Sequence, residues 1–158
     1  MRLWRPGDAP PGPDIFIGRA HLAYIAFHRL GIFANPDYSA LCLDDDSGRP
    51  LHVSCIFPRY FRFPFMAADD LQIGATHTEP DARGRGLAQR ALIEAVRRLA
   101  RPGRAFWYLT EATNVASCAV VEKAGFDWVG SGARIPRLGI GALSAYRLTR
   151  PDPRAALK

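Results

Sequence analysis

A strand, a glycine-rich turn and an amphipathic helix follow one another over residues 71–100. This succession constrains the fold more than any other part of the chain. Residues 71–78 have the composition of a strand, and a proline turn follows them. The apolar residues after the turn recur at helical spacing: Leu87, Ala88, Ala91, Leu92, Ala95, Val96 and Leu99. Such a stripe predicts a helix over residues 87–100 that packs its apolar side against a sheet.

The start of this helix carries an unexpected charge. A helix N-terminus has unpaired N–H groups and a partial positive charge, so acidic side chains are favoured there. Here Arg83 and Arg85 come just before it, and the first acidic residue inside the helix is Glu94. A bound anion would remove the conflict, and Gly84 and Gly86 would let the backbone approach it closely. We therefore favour an anion-binding turn over a solvated glycine-rich loop.

The remaining sequence predicts a single α+β domain over residues 1–158. Residues 6–14 read as a loop, residues 19–30 as a helix, and a second long helix begins at Asn114 and ends at Gly125. Further strands are predicted over residues 38–43, 51–57, 106–110, 126–129 and 143–148. Strands on both sides of the helices indicate a mixed sheet.

Residues 57–65 alternate aromatic side chains with arginines and contain two prolines. Proline argues against a central strand, so we predict an edge strand whose rings pack the core or wall a ligand pocket. Stacking on single-stranded nucleic acid is the less favoured alternative.

Composition limits the class of protein. The chain has 158 residues and a net charge of +6, and all but two of its 21 basic residues are arginines. No apolar run approaches the ~18–20 residues of a membrane helix, and residues 1–6 lack a signal-peptide core, so we expect a cytoplasmic protein. Cys42, Cys55 and Cys118 suit buried thiols, and the histidines have no ligand spacing, so no metal is predicted.

Two motifs resemble those of the GNAT superfamily of N-acetyltransferases. Arg83-Gly84-Arg85-Gly86-Leu87-Ala88 resembles the family's pyrophosphate loop, (Q/R)-x-x-G-x-(G/A), at all three fixed positions. Residues 114–126, which begin at Asn114 and include Ser117 and Gly125, are similar to the family's second conserved helix. Together the motifs cover approximately residues 71–130.

The resemblance implies a GNAT-like fold, a mostly antiparallel twisted sheet flanked by helices, that binds acetyl-CoA. The pyrophosphate would lie on the N–H groups of residues 84–88, and pantetheine would pair with the strand before the loop, which splays from its neighbour. The implied coenzyme A site comprises Thr76, His77, Thr78, Arg83, Gly84, Arg85, Gly86, Leu87, Ala88, Asn114 and Ser117. A plain N-cap is the simpler role for Asn114.

The family's proton donor to the departing thiolate is a tyrosine on the second helix, and here Val121 occupies that position. Water, Tyr146 or Tyr108 are the alternatives. The usual base position falls near Gln72, which cannot accept a proton usefully.

Three other residues are candidates for the base. Glu111 is the first choice because it follows the strand leading to Asn114, and Glu79 and His77 come next. Plain structural roles are the alternative for each of them.

The resemblance implies an N-acetyltransferase in which a primary amine attacks the thioester directly. A small-molecule acceptor, for which an amino sugar is one candidate, would lie between residues 57–65 and a loop over residues 134–141. A homodimer is possible, and neither a nucleic acid nor a membrane is expected as a partner. The alternatives are a non-catalytic acyl-CoA-binding module and, less favoured, a nucleic-acid binder.

Overall fold

The computed structural model describes residues 1–8, 19–137 and 140–149. The helices are α1 (Arg19–Arg29), α2 (Leu87–Leu99) and α3 (Val115–Lys123), with a 3₁₀ turn at Pro80–Ala82. The strands are β1 (Arg2–Trp4), β2 (Ser39–Asp44), β3 (Pro50–Pro58), β4 (Leu71–Thr78), β5 (Phe106–Tyr108), β6 (Ser131–Arg137) and β7 (Ile140–Thr149).

Five strands form the main sheet in the order β1-β2-β3-β4-β5, and β6 and β7 pair in a separate two-stranded sheet. The first four strands are antiparallel, whereas β5 runs parallel to β4 because α2 connects them. The predicted mixed, mostly antiparallel sheet flanked by helices is therefore confirmed. Sequence patterns did not predict β1, which is three residues long and pairs with β2.

Side chains from the two faces of the sheet form two apolar clusters. The helix-side cluster packs α2 on the sheet and contains Leu41, Leu43, Leu51, Ile56, Leu71, Ile73, Ala82, Leu87, Ala91, Leu92, Ala95 and Leu99. The aromatic cluster on the other face contains Trp4, Phe33, Tyr38, Ala40, Cys42, Val53, Cys55, Phe57, Tyr60, Phe63 and Met66. The predicted stripe of α2 is thus largely buried, and Ala91 and Ala95 are small enough for the helix to lie close to the strands.

Residues 59–65 do not form the predicted edge strand. The chain leaves β3 at Pro58 and turns twice, with the Phe63 N–H bonded to the Tyr60 carbonyl and the Met66 N–H to the Phe63 carbonyl. Tyr60 and Phe63 are both buried although they have opposite parity, because turns rather than an extended backbone aim them at the aromatic cluster. The prediction that these rings pack the core is correct.

Two predictions near the C-terminus are also wrong. Residues 126–129 form no strand, and β6 begins at Ser131 instead, after Gly130 at φ +147°. The supposed loop over residues 134–141 lies largely within the β6–β7 pair, in which Arg137 is opposite Ile140. Residues 138–139, and residues 9–14 of the predicted N-terminal loop, lie outside the described residues.

The cysteines are free thiols. Cys42 and Cys55 share a face of neighbouring strands but do not lie opposite each other, because Cys42 pairs with Val53 and Cys55 with Ala40. Burial raises the pKa of Cys42 to about 11 and that of Cys55 to about 12, so both remain protonated and unreactive at neutral pH.

Candidate functional site

The main sheet opens into a fork between β4 and β5. The two strands pair at only three positions, and the last pair is Ile73 with Tyr108. Beyond it, residues 74–78 have no strand partner on the β5 side among the described residues. Side chains of β4 are buried up to Gly74 and become accessible from Ala75 onward. The predicted separation of these strands is therefore present, and it exposes one backbone edge of β4.

A bulge in β4 lies where the fork opens. Val53 pairs with His77 and Cys55 with Gly74, so β4 contains one more residue than β3 over this interval. Ala75 has φ +45°, a left-handed conformation that costs a non-glycine residue about 1 kcal/mol or more. Bulges re-aim side chains. This one turns His77 toward the face that already carries Gln72 and Gly74, as their partners in β3 show.

A buried aspartate holds the closed end of the fork. The Asp70 carboxylate accepts hydrogen bonds from the Ala105 N–H at 3.0 Å and the Trp107 indole N–H at 2.9 Å. Asp70 is 4% exposed, and the Leu71 N–H also bonds to the Ala105 carbonyl. These bonds join the first residues of β4 and β5, so separation begins only after Ile73. Sequence reasoning missed Asp70 because an acidic pair before a strand is an ordinary turn signal.

The turn before α2 has the backbone that an anion site needs. Gly84 and Gly86 have φ +75° and +70°, and a Cβ atom on either would meet nothing within 4 Å. The open space faces solvent, so the conformation and not crowding selects glycine here. Gly86 is the N-cap of α2, and it has no side chain to accept a hydrogen bond. The first bond of the helix runs from the Arg90 N–H to the Gly86 carbonyl, which leaves the N–H groups of Leu87 and Ala88 without a helical acceptor.

The charges around this turn are arranged differently from the simple repulsion inferred from sequence. Asp81 lies near it, but its carboxylate is held by Arg49 of the β2–β3 turn at 2.6 Å. That hydrogen bond is the main reason why the pKa of Asp81 is lowered. Arg83 turns back and donates from Nε to the Thr78 carbonyl at 3.2 Å. Arg83 thus joins the turn to the end of β4, and Arg85 is exposed.

The start of α3 lies beyond β5, after a turn that begins at Glu111. Asn114 is its N-cap, and its side-chain oxygen accepts a hydrogen bond from the Ser117 N–H at 3.1 Å. The prediction that Asn114 is an N-cap is therefore confirmed, and its side-chain oxygen fills that role. Gln89 of α2 donates to the Lys123 carbonyl at 2.8 Å, which ties the two helices together.

The three candidate bases do not converge. His77 and Glu79 approach each other, with Nε2 and Oε1 3.4 Å apart, and the His77 side chain is 51% exposed. Glu111 is exposed in the turn before Asn114, and its carbonyl accepts the Asn114 N–H. No contact joins Glu111 to the His77–Glu79 pair among the residues that the structure describes. The pair and Glu111 belong to opposite sides of the fork.

Gln72 occupies the last position of β4 before the fork on the aromatic face. The residue is 8% exposed, and its buried Oε1 atom has no hydrogen-bond partner among the residues that the structure describes. A Cβ atom on Gly74 would lie 3.4 Å from the Gln72 Nε2 atom, which is an ordinary van der Waals contact, so space alone does not require glycine at 74. A buried carbonyl oxygen without a donor costs about 1–3 kcal/mol.

The structure distinguishes the tyrosines proposed as proton donors. The hydroxyl of Tyr108 lies 3.2 Å from the Thr76 hydroxyl, across the opening of the fork. Tyr146 is on β7, with its ring stacked on Phe63 at a centroid distance of 5.6 Å. Val121 is partly buried against the helix-side cluster, which Tyr108 also contacts.

A buried histidine supports the far end of β4. His52 of β3 hydrogen-bonds Thr78 through Nδ1 at 2.7 Å and Ser54 through Nε2 at 2.8 Å. Burial, and secondarily the charge of His77, lowers the pKa of His52 to about 4. A neutral imidazole therefore positions Thr78 at physiological pH. The sequence contained no ligand spacing around His52, and it gave no signal of this role.

Two cavities border the segment over residues 59–65. One of about 230 Å³ is lined by Pro64, Ile135, Ala145, Tyr146 and Arg147. The other, of about 380 Å³, is lined by Gly31, Ile32, Phe33, Ala34, Arg59, Tyr60, Phe61 and Pro64. The first lies between the two stretches expected to wall the acceptor.

Within residues 1–8, 19–137 and 140–149, no group of three or more His, Cys, Asp or Glu side chains is placed to hold a metal ion. None of the described helices has the length and hydropathy needed to cross a bilayer.

Comparison with known proteins agrees with the geometry. The family model "Acetyltransferase (GNAT) family" matches residues 11–126. A proposed acetyltransferase from Agrobacterium tumefaciens str. C58 superposes with a TM-score of 0.56 at 20% identity, over 87% of this chain and 100% of that one. A proposed acetyltransferase from Acinetobacter baylyi ADP1 superposes with a TM-score of 0.55 at 19% identity, over 73% of this chain and 60% of that one. At these identities the likeness shows the fold alone. No curated protein is detectably similar in sequence.

Proposed function

Because the chain belongs to the GNAT family of acetyltransferases, we propose that it transfers an acetyl group from acetyl-CoA to a primary amine of a small molecule. The observation that carries the proposal is the fork between β4 and β5, which opens next to a helix N-terminus preceded by two left-handed glycines. One feature offers a backbone edge to an extended ligand, and the other offers N–H groups to phosphate.

The residues fit coenzyme A as the acyl carrier. The pyrophosphate would accept hydrogen bonds from the N–H groups of residues 84–88, with Arg83 and Arg85 supplying positive charge. The pantetheine arm would lie along β4, where Thr76, His77 and Thr78 have a free edge on the β5 side among the described residues. The Asn114 oxygen is engaged by Ser117, so its amide nitrogen would be the group that meets the arm.

The amine would attack the thioester carbonyl directly, within a ternary complex. His77 and Glu79 are the better supported base, because the bulge places His77 on the face of Gln72 and Gly74 and the carboxylate can stabilise an imidazolium. Glu111 remains the alternative from the opposite side of the fork. A backbone N–H of the splayed strand would stabilise the oxyanion.

The acceptor site that we propose is the 230 Å³ cavity and the surface around it. Pro64 from the turning segment and Ile135 from β6 line it, with Tyr146 and Arg147 of β7. Apolar walls with one cation nearby suit a small amine with a non-polar or anionic part. For that reason, the amines tested as acceptors should include an amino sugar.

Binding of coenzyme A provides the first test. Saturating coenzyme A at about 100 times its dissociation constant should raise the free energy of unfolding by about 2.7 kcal/mol, measured as a thermal shift. Gly86→Glu should weaken binding by about 100-fold or more, because it places a negative charge beside the pyrophosphate. Gly103→Glu is the matched control, since Gly103 has a similar φ of +80° and lies in the turn after the opposite end of α2. Equal affinity in both variants would refute the loop assignment.

Release of free thiol from acetyl-CoA in the presence of a broad panel of primary amines tests the chemistry. Turnover with an amine supports an N-acetyltransferase. Tight coenzyme A binding without turnover on any amine would favour the second candidate, a non-catalytic acyl-CoA-binding module. This second candidate is favoured by one observation: position 121 is valine instead of the family's tyrosine, and position 72 is glutamine instead of a carboxylate.

A further inference from the structure

We propose that Tyr108 contacts the thioester sulfur and donates the proton that the departing thiolate requires. The inference rests on the proposed function. It assigns a residue to protonation of the thiolate, a step for which Val121 at the motif position has no acidic side chain. The observation behind it is the hydrogen bond between the Tyr108 and Thr76 hydroxyls, 3.2 Å long, which crosses the fork just beyond the last paired residues.

The position of Tyr108 along the ligand path supports this role. The phosphate-binding turn is joined to the end of β4 by Arg83 and Thr78. A ligand that starts there and follows β4 backward covers about 13 Å from Thr78 to Gly74, at roughly 3.3 Å per residue. Thr76 lies halfway along this path, and the closed end of the fork begins at Ile73. An extended thioester that follows this edge therefore passes the Tyr108 hydroxyl before it reaches the closed end of the fork.

Other described groups are less suitable. Tyr146 stacks its ring on Phe63 of the aromatic cluster, and its backbone N–H bonds to the Arg62 carbonyl. Tyr146 therefore lies on the face of the sheet opposite to the helix-side cluster. Val121 and Tyr108 both pack against the helix-side cluster, so they lie on the same face of the sheet. Thr76 is an alcohol, which is a far weaker acid than a phenol, and it serves to orient Tyr108.

The proton balance is complete without another reagent. The amine nitrogen forms a bond to the carbonyl carbon, and the carbon–sulfur bond then breaks with its electron pair on sulfur. Tyr108 gives its hydroxyl proton to that sulfur and becomes a phenolate. The proton released from the attacking nitrogen returns to the phenolate, so the products are the amide, free coenzyme A and unchanged tyrosine. A positioned phenol is a suitable general acid for a thiolate leaving group.

A binding cycle tests the contact without knowledge of the acceptor. The affinities of coenzyme A and of its desulfo analogue, which lacks the sulfur, are measured by calorimetry on the parent and on Tyr108→Phe. The parent should prefer coenzyme A by about fivefold, and the variant should lose this preference, because one hydrogen bond to sulfur is removed. Tyr24→Phe, on α1, is the control and should keep the parent's preference. The same preference in Tyr108→Phe would overturn the proposal.

Kinetics with the best amine of the panel separate proton donation from binding. Tyr108→Phe should lower kcat by about 100-fold and raise the KM for acetyl-CoA by no more than about fivefold. A change in KM alone would overturn the role as proton donor. If the parent protein does not bind coenzyme A, the proposed function itself is refuted.

Discussion

Replacing His52 with asparagine should flatten the dependence of stability on pH. The His52 ring is fully buried between Thr78 and Ser54, and its pKa is lowered from 6.5 to about 4, chiefly by burial. The unfolded chain gains a proton near pH 6.5, but the folded protein does not until about pH 4. The free energy of unfolding is therefore unaffected by protonation of His52 above about pH 6.5, and it decreases as the pH falls from there toward 4. Between about pH 7.5 and about pH 5, His52 should lower the free energy of unfolding by about 2 kcal/mol.

Urea unfolding followed by tryptophan fluorescence at a series of pH values measures this loss. His52→Asn should lose about 2 kcal/mol less than the parent over that interval, whatever its stability at pH 7.5. Ser54→Ala is the control: it removes one hydrogen bond and keeps the buried imidazole, so it should keep the parent's slope. If His52→Asn loses as much stability as the parent, burial does not hold this histidine neutral and the reasoning fails.

Two further substitutions test side chains beside the fork. Gln72→Leu should raise the free energy of unfolding by about 1–2 kcal/mol, because it removes a buried oxygen that no described residue supplies with a hydrogen bond, and a calorimetric melting temperature below the parent's would contradict this. Asn114→Ala should lower it by about 1 kcal/mol through loss of the cap on the Ser117 N–H, whereas Asn114→Asp keeps the oxygen and should stay near the parent in urea unfolding.

The sequence predicted the elements whose pattern is regular. The β4 strand and α2 were predicted almost to the residue, because α2 buries one stripe at helical spacing and Gly86 allows the left-handed cap where it begins. The glycine-rich turn before α2, where we propose that coenzyme A binds, was predicted from the same residues. The helix after Asn114 was predicted because asparagine is an N-cap residue and its oxygen fills that role.

The errors have local physical causes. Residues 59–65 look like a strand because their aromatic residues alternate, but two turns bury rings of both parities. β6 was misplaced because its residues 131–136 are all exposed, so no apolar alternation marks it, whereas the apolar residues just before it are in no strand. The fork was expected only from resemblance, and the residue that opens it, Ala75, has no side chain that favours a left-handed backbone.

The extra residue at Ala75 also fixes what the rest of β4 can do. Before it, even-numbered side chains lie toward the aromatic cluster, and after it the odd-numbered ones do. Deleting one residue there would exchange the faces of His77 and Thr78 and take Thr78 away from His52. The length of this strand is thus under tighter constraint than the identity of its residues, and a one-residue deletion should be more damaging than any single substitution in β4.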